Sequence, residues 1–244
     1  MWRIASLVLV LGVLAGPALA AETFQTPSDV KRWLKHYYLK PDPERIPELV
    51  GYLSSSGMLD QKNAISPIFG FLSGVFHDNP TRVPGWVQTL DAIRERHLGV
   101  VVFGLWYSGL PDAKQQVEGI FSRHARLQKE FAFLRDNEPH QLAEIPLEQG
   151  QWILDALWGN FMATGSPEPV RRVISTLAWL DDKQDRKRYM VASSAKFSLA
   201  TNLIQHRRVR QICKAELDTQ SDAIAVPLKA LLEPKKGKAR SGSR

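Results

Sequence analysis

Helix punctuation recurs along this chain at short intervals, and it constrains the fold more than any other feature. Thr26-Pro27-Ser28-Asp29 sets a capping hydroxyl before a proline at the first helical position, with an acid in the first turn. Asp42-Pro43-Glu44 repeats that chemistry; Ile46, Leu49, Val50 and Leu53 follow at helical spacing, and Gly57 closes the element. Ser66-Pro67, Asn79-Pro80, Pro84, Pro111-Asp112 and Ser166-Pro167-Glu168 are further start signals, while Gly109 and Gly165 are stop signals just past apolar helices. No stretch longer than about four residues alternates apolar and polar side chains as a strand would. Val100-Val101-Val102-Phe103 is the one β-like run, and Gly104-Leu105-Trp106-Tyr107 continues it as part of a longer apolar helix. The pattern predicts an all-α fold of roughly ten to twelve helices between residues 26 and 232, joined by turns short enough to pack neighbours antiparallel. The expected architecture is stacked antiparallel helical hairpins, as an irregular α-solenoid or a helical bundle, in a single domain over residues 22–232.

The two ends of the chain differ from this body. Residues 1–21 read as a secretory signal peptide: Arg3 gives the positive start, Leu7 to Ala15 the apolar stretch, and Ala18-Leu19-Ala20 the small-x-small cleavage site. The apolar run is too short to span a bilayer. No cysteine follows the cleavage point, which excludes a bacterial lipoprotein anchor. Cleavage lowers the formal charge from +7 to +6, since Arg3 is the one charged side chain in the leader. Residues 233–244 hold five basic residues and no large apolar one, the composition of a disordered basic tail. The mature protein is therefore expected in the periplasm or secreted, without an integral membrane segment. A short signal and the absence of a glycosylation sequon point to a bacterial source.

An oxidising compartment makes the single thiol, Cys213, informative. One cysteine forms no disulfide framework and no multi-cysteine zinc site, so the fold depends on its core alone. Cys213 beside Ile212 in an amphipathic helix reads as a small buried hydrophobe, with a reactive thiol as the alternative.

Internal echoes carry the most organisational information. An apolar–aromatic–glycine triplet recurs as Ile68-Phe69-Gly70, Val102-Phe103-Gly104 and Leu157-Trp158-Gly159. Gly109-Leu110-Pro111-Asp112 with Val117 likewise matches Gly165-Ser166-Pro167-Glu168 with Val173. Glycine inside a helix costs roughly 1 kcal/mol against alanine, so three at equivalent points predict close crossings by a neighbouring helix. With the first two triplets 34 residues apart, residues 43–180 resemble the tetratricopeptide and related helical-hairpin repeat proteins. The 55-residue interval to the third triplet departs from that period. The resemblance implies scaffold or adaptor work through a concave protein-binding face, and it implies no catalytic residue.

Signatures of catalysis are missing: there is no Walker loop, no Gly-x-Gly-x-x-Gly after a strand, no His-Glu-x-x-His and no Gly-x-Ser-x-Gly. No catalytic residue, metal or cofactor is assigned. His140 and Glu144 lie four apart but are bracketed by Pro139 and Pro146, an incomplete zinc site. Asp181, Asp182 and Asp185 lack the spacing of a calcium loop and read as a solvated helix terminus. His97 in Arg94-Glu95-Arg96-His97 and His124 in Arg123-His124-Ala125-Arg126 read as exposed basic helix ends. Trp106 and Trp158 read as core, and Trp33, with His36, Tyr37 and Tyr38, as a possible wall of an aromatic groove.

The strongest charged feature is Gln205-His206-Arg207-Arg208-Val209-Arg210 with Lys214. Written as one helix, Ala200, Leu203, Ile204, Ile212, Cys213 and Leu217 form its apolar stripe, and Arg207, Arg210 and Lys214 an outer row at spacings of three and four. Lys183, Arg186, Lys187 and Arg188 extend the patch if the two helices are neighbours. The row suits an acidic partner, a protein or another acidic envelope component; nucleic acid does not fit an exported chain whose aromatics are not interleaved with this run. The function expected is thus an exported soluble binding or adaptor protein of the bacterial cell envelope. The alternative is an exported helical hydrolase or lyase acting on an envelope polymer, with Glu95 and His97 or Glu144 and His140 as the places to look.

Overall fold

A computed structural model describes residues 23–233; the segment read as a signal peptide, 1–21, and the segment read as a basic tail, from residue 234 onward, lie outside the described residues. Twelve α-helices and several short 3-10 turns make up the fold, with no strand among the described residues. In chain order these are α1 (Pro27–His36), α2 (Ile46–Ser55), α3 (Lys62–Asp78), α4 (Val83–Leu90), α5 (Gly99–Trp106) and α6 (Ala113–Arg123). They are followed by α7 (Ala125–Glu130), α8 (Gln151–Thr164), α9 (Pro167–Ser175), α10 (Arg186–Gln205), α11 (Arg207–Leu217) and α12 (Asp222–Leu232).

The start and stop chemistry behaves as read at most of these ends. Thr26 accepts from the Asp29 amide while the Asp29 carboxylate takes the Thr26 amide, a closed capping box with Pro27 at the first position of α1. Ser166 caps α9 in front of Pro167. Gly57, Gly109 and Gly165 all take positive φ, at 76°, 71° and 63°. The two matched segments are therefore one device used twice: a left-handed glycine after an apolar helix, then a new helix that buries Val117 or Val173.

Ser66-Pro67 departs from expectation. It does not open a helix but sits inside α3, which begins at Lys62. Pro67 forfeits one intrahelical hydrogen bond, yet every residue from Ile68 to Phe76 is buried. A helix covered on all sides is held by its packing rather than by its local propensity.

α3 is the axis of the bundle, and α8 and α5 pack along it most extensively. All three triplet glycines lie at those crossings. A Cβ on Gly70 would stand 2.0 Å from the Ala156 carbonyl oxygen, one on Gly159 2.0 Å from that of Pro67, and one on Gly104 2.8 Å from the Leu72 Cβ. The aromatics beside them fill the adjoining space, with Phe69 5.6 Å from Phe103 and 6.0 Å from Trp152 between ring centroids. Of the two arrangements expected, the bundle is the one observed: the triplets meet around one central helix, and the principal partners α3 and α8 are distant in sequence. Trp106 and Trp158 are buried in this core.

The C-terminal basic segment is not one continuous helix. His206 leaves the helical region (φ −129°, ψ 112°) and separates α10 from α11. Its ring is buried between Tyr38 and Phe161, at centroid distances of 5.9 and 5.8 Å. Seating that ring turns the chain, so the single apolar stripe fails at Ile204, which is 84% exposed, while Leu203, Ile212 and Cys213 are buried.

Candidate functional site

The break at His206 leaves α11 as a short amphipathic helix. Val209, Ile212 and Cys213 face the core, and Arg207, Arg210 and Lys214 follow the opposite side, the first and last exposed and Arg210 half-buried. None of the three side chains has a hydrogen-bond or ion-pair partner among the described residues. Most arginines elsewhere are engaged. Arg171 bonds Glu216 at 2.6 Å, Arg45 bonds Glu48 at 2.8 Å, and Arg172 donates to the Leu142 carbonyl at 2.8 Å and to that of Ile145. Arg188 does not extend the α11 patch: it meets Glu148 at 3.0 Å and lies over the Trp179 ring at 5.2 Å. The acid nearest the row along the helix, Glu216, is occupied by Arg171, so the row keeps an uncompensated positive field.

Cys213, on the buried side of α11, is a core residue whose thiol is pushed up to about 12 by burial. Asp185 caps α10 by accepting from the Lys187 and Arg188 amides, each at 3.0 Å, which makes the Asp181–Asp185 segment a helix terminus. His140 and Glu144 are exposed and 3.9 Å apart around a single 3-10 turn. No group of three or more His, Cys, Asp or Glu placed to hold a metal occurs among the described residues. Trp33 and Tyr37 line an open cleft with Phe24, His36 and Arg45, whereas Tyr38 turns away to hydrogen-bond His206 Nδ1 at 3.2 Å.

His97 is not an exposed helix end. It is 2% exposed, its Nε2 lies 2.9 Å from an Asp60 carboxylate oxygen and its Nδ1 2.9 Å from Ser54 Oγ. With Nε2–H donating to the carboxylate, Nδ1 accepts the Ser54 hydroxyl proton, and Ser54 Oγ in turn accepts from the Arg94 amide at 3.3 Å. Arg96 closes the same carboxylate at 2.8 Å, and its guanidinium, followed by His97, holds Asp60 down at about 2. Arg123 and His124 grip Asp91 in the same way, at 2.8 and 2.9 Å. Both Arg-His pairs thus clip a carboxylate from an earlier segment, because a buried or half-buried imidazole must find a partner. Glu95 takes no part. The repeated Arg-His dipeptide was the available signal for these clips, but their aspartates, 37 and 33 residues upstream of the two histidines, could not be chosen from sequence.

Ser54, His97 and Asp60 form a hydrogen-bonded serine–histidine–carboxylate chain, yet Ser54 is 3% exposed. A nucleophile buried to that degree offers no approach to a substrate carbonyl. The fold and its surfaces define an all-helical bundle with structural histidine clips and an open cationic face. No family model, no curated protein and no solved structure matches the chain. No described helix is long and apolar enough to cross a membrane.

Proposed function

We propose that this chain is an exported helical binding or adaptor protein of the bacterial cell envelope, recognising a protein or other acidic partner through α11. The observation that carries the reading is the row Arg207, Arg210 and Lys214, outward-facing and without an intramolecular partner in a molecule whose other arginines are mostly paired. Exposed cations interact weakly one by one, but several of one sign steer an oppositely charged partner, an effect that salt screens. The export component rests on the leader pattern at residues 1–21.

The test is charge reversal of all three to glutamate in the full-length protein, followed by mild cross-linking in intact cells and mass spectrometry. Loss of a stoichiometric partner with unchanged helicity is the expected result. Unchanged recovery of the partner, or loss of helicity, removes the assignment.

The hydrolase alternative would have to work through the Ser54–His97–Asp60 chain, whose serine is buried. A serine-directed fluorophosphonate that labels the native protein at Ser54 would establish it, and failure to label removes it.

A further inference from the structure

Large apolar side chains left in solvent concentrate on one helix. Met190, Phe197 and Ile204 of α10 are 47%, 77% and 84% exposed. Seven residues advance a helix by about two turns, so the three stand within roughly 20° of one line, about 10.5 Å apart. Val191, Ala192, Ala195, Leu199 and Leu203, on the opposite side, are buried. α10 is therefore packed on one face and bare on the other.

The bare face has a chemical order. Arg186, exposed and without an ion pair among the described residues, lies one turn before Met190 on the same line. At the other end, Arg207 opens α11 three residues after Ile204, within about 10 Å of it along the chain. The sequence of groups is cation, three apolar residues, cation, over about 27 Å from Arg186 to Ile204. Beside the ridge runs a groove of about 550 Å³ lined by Asp155, Trp158, Ser194, Ser198 and Thr201. Trp158 is 8% exposed and its Nε1–H has no hydrogen-bond partner.

We infer that this face seats an amphipathic helix of a partner protein, apolar in the middle and acidic at both ends. The inference rests on the α11 cations being a recognition surface, and it names what they recognise. Three details select this occupant. Cations at both ends of the ridge match carboxylates on a partner about 18 residues long. Antiparallel pairing with a second copy would set Arg186 against Arg207, a like-charge contact. Small side chains between the large ones leave holes for a facing helix, and the groove gives its side chains a seat that a flat lipid surface would not fill.

The test places p-benzoylphenylalanine at Ser194 in the full-length protein, irradiates intact cells, and identifies the adduct by mass spectrometry. The expected adduct is a protein segment with helically spaced apolar residues between acidic ends. Its yield falls at least tenfold when Phe197→Glu is added, and likewise with Arg207, Arg210 and Lys214 all changed to glutamate. Circular dichroism checks that each variant remains helical. An adduct with a second copy or with lipid, or no adduct, overturns the inference. Loss with the triple change but not with Phe197→Glu leaves the α11 reading standing and removes the α10 face. Loss with Phe197→Glu alone overturns the acidic chemistry assigned to the partner, and loss with neither overturns both.

Discussion

Replacing Gly159 by alanine probes the central crossing directly. The new methyl carbon would start 2.0 Å from the Pro67 carbonyl oxygen, 2.8 Å from the Phe71 amide nitrogen and 2.9 Å from the Pro67 carbonyl carbon. Carbon–oxygen contacts normally stay near 3.3 Å, so α3 and α8 must separate by more than about 1 Å. The obstruction is backbone of the central helix, buried from Ile68 to Phe76, and no side chain can rotate aside to relieve it. Overpacking by a methyl commonly costs about 1–3 kcal/mol; with the two longest-packed helices driven apart, the cost belongs at or above the upper end. Alanine recovers up to about 1 kcal/mol of helix propensity, leaving a net loss of about 2 kcal/mol or more. For a domain of this size, that lowers the melting temperature by about 4–8 °C or more. Thermal unfolding followed at 222 nm reads the shift. Gly85→Ala is the matched control: it also lies inside a helix, but its Cβ would meet nothing within 4 Å, so it gains about 0.5–1 kcal/mol. Equal melting temperatures for Gly159→Ala and the parent, or equal losses for both alanine variants, would refute the close-crossing argument.

Two further outcomes follow from buried groups. His206 is held down to about 4 by burial and by the nearby Lys35 and His36, against its ordinary 6.5; the unfolded chain therefore takes up this proton first. The native state loses stability as pH falls from 6.5 towards 4, by about 2–3 kcal/mol at 1.36 kcal/mol per pK unit with some allowance for relaxation. Urea midpoints at pH 7 and pH 4.5 measure the fall, which should shrink by most of that amount in His206→Leu; an equal fall in the variant would locate the acid sensitivity elsewhere. Cys213, buried and with its thiol pushed up to about 12, should not react with a thiol-specific disulfide reagent in the native state. Its modification rate should follow global unfolding across a urea series, and rapid labelling in buffer would show that α11 opens locally.

Much of the secondary structure was legible because its determinants are local. A capping hydroxyl, a proline at the first helical position and a glycine with positive φ act within one turn, so the ends of α1 and α9 and the turns at Gly109 and Gly165 could be placed from neighbouring residues. The triplet glycines were legible for a related reason: a residue that weakens its own helix must be repaid by something outside it. The same local reasoning misplaced Pro67 and ran α10 into α11. In both cases a tertiary contact prevailed, through burial of α3 all round from Ile68 to Phe76 and through seating of the His206 ring beside Tyr38 and Phe161. The α11 row survived the break because Arg207, Arg210 and Lys214 all lie after it.

The amino-acid sequence by itself determined that the chain is all-α, where most of its helices begin and end, which glycines would meet a neighbour, and which cations share an outer row. Periodicity, capping and left-handed glycine depend on residues a few positions apart, and those are present in the string of letters. Only the tertiary structure decided that α8 is the principal partner of α3, that Asp60 and Asp91 receive the two Arg-His pairs, and that α10 leaves Met190, Phe197 and Ile204 in solvent. Each of those outcomes joins residues tens of positions apart, or depends on what fails to cover a face, and is set by the mutual fit of whole helices.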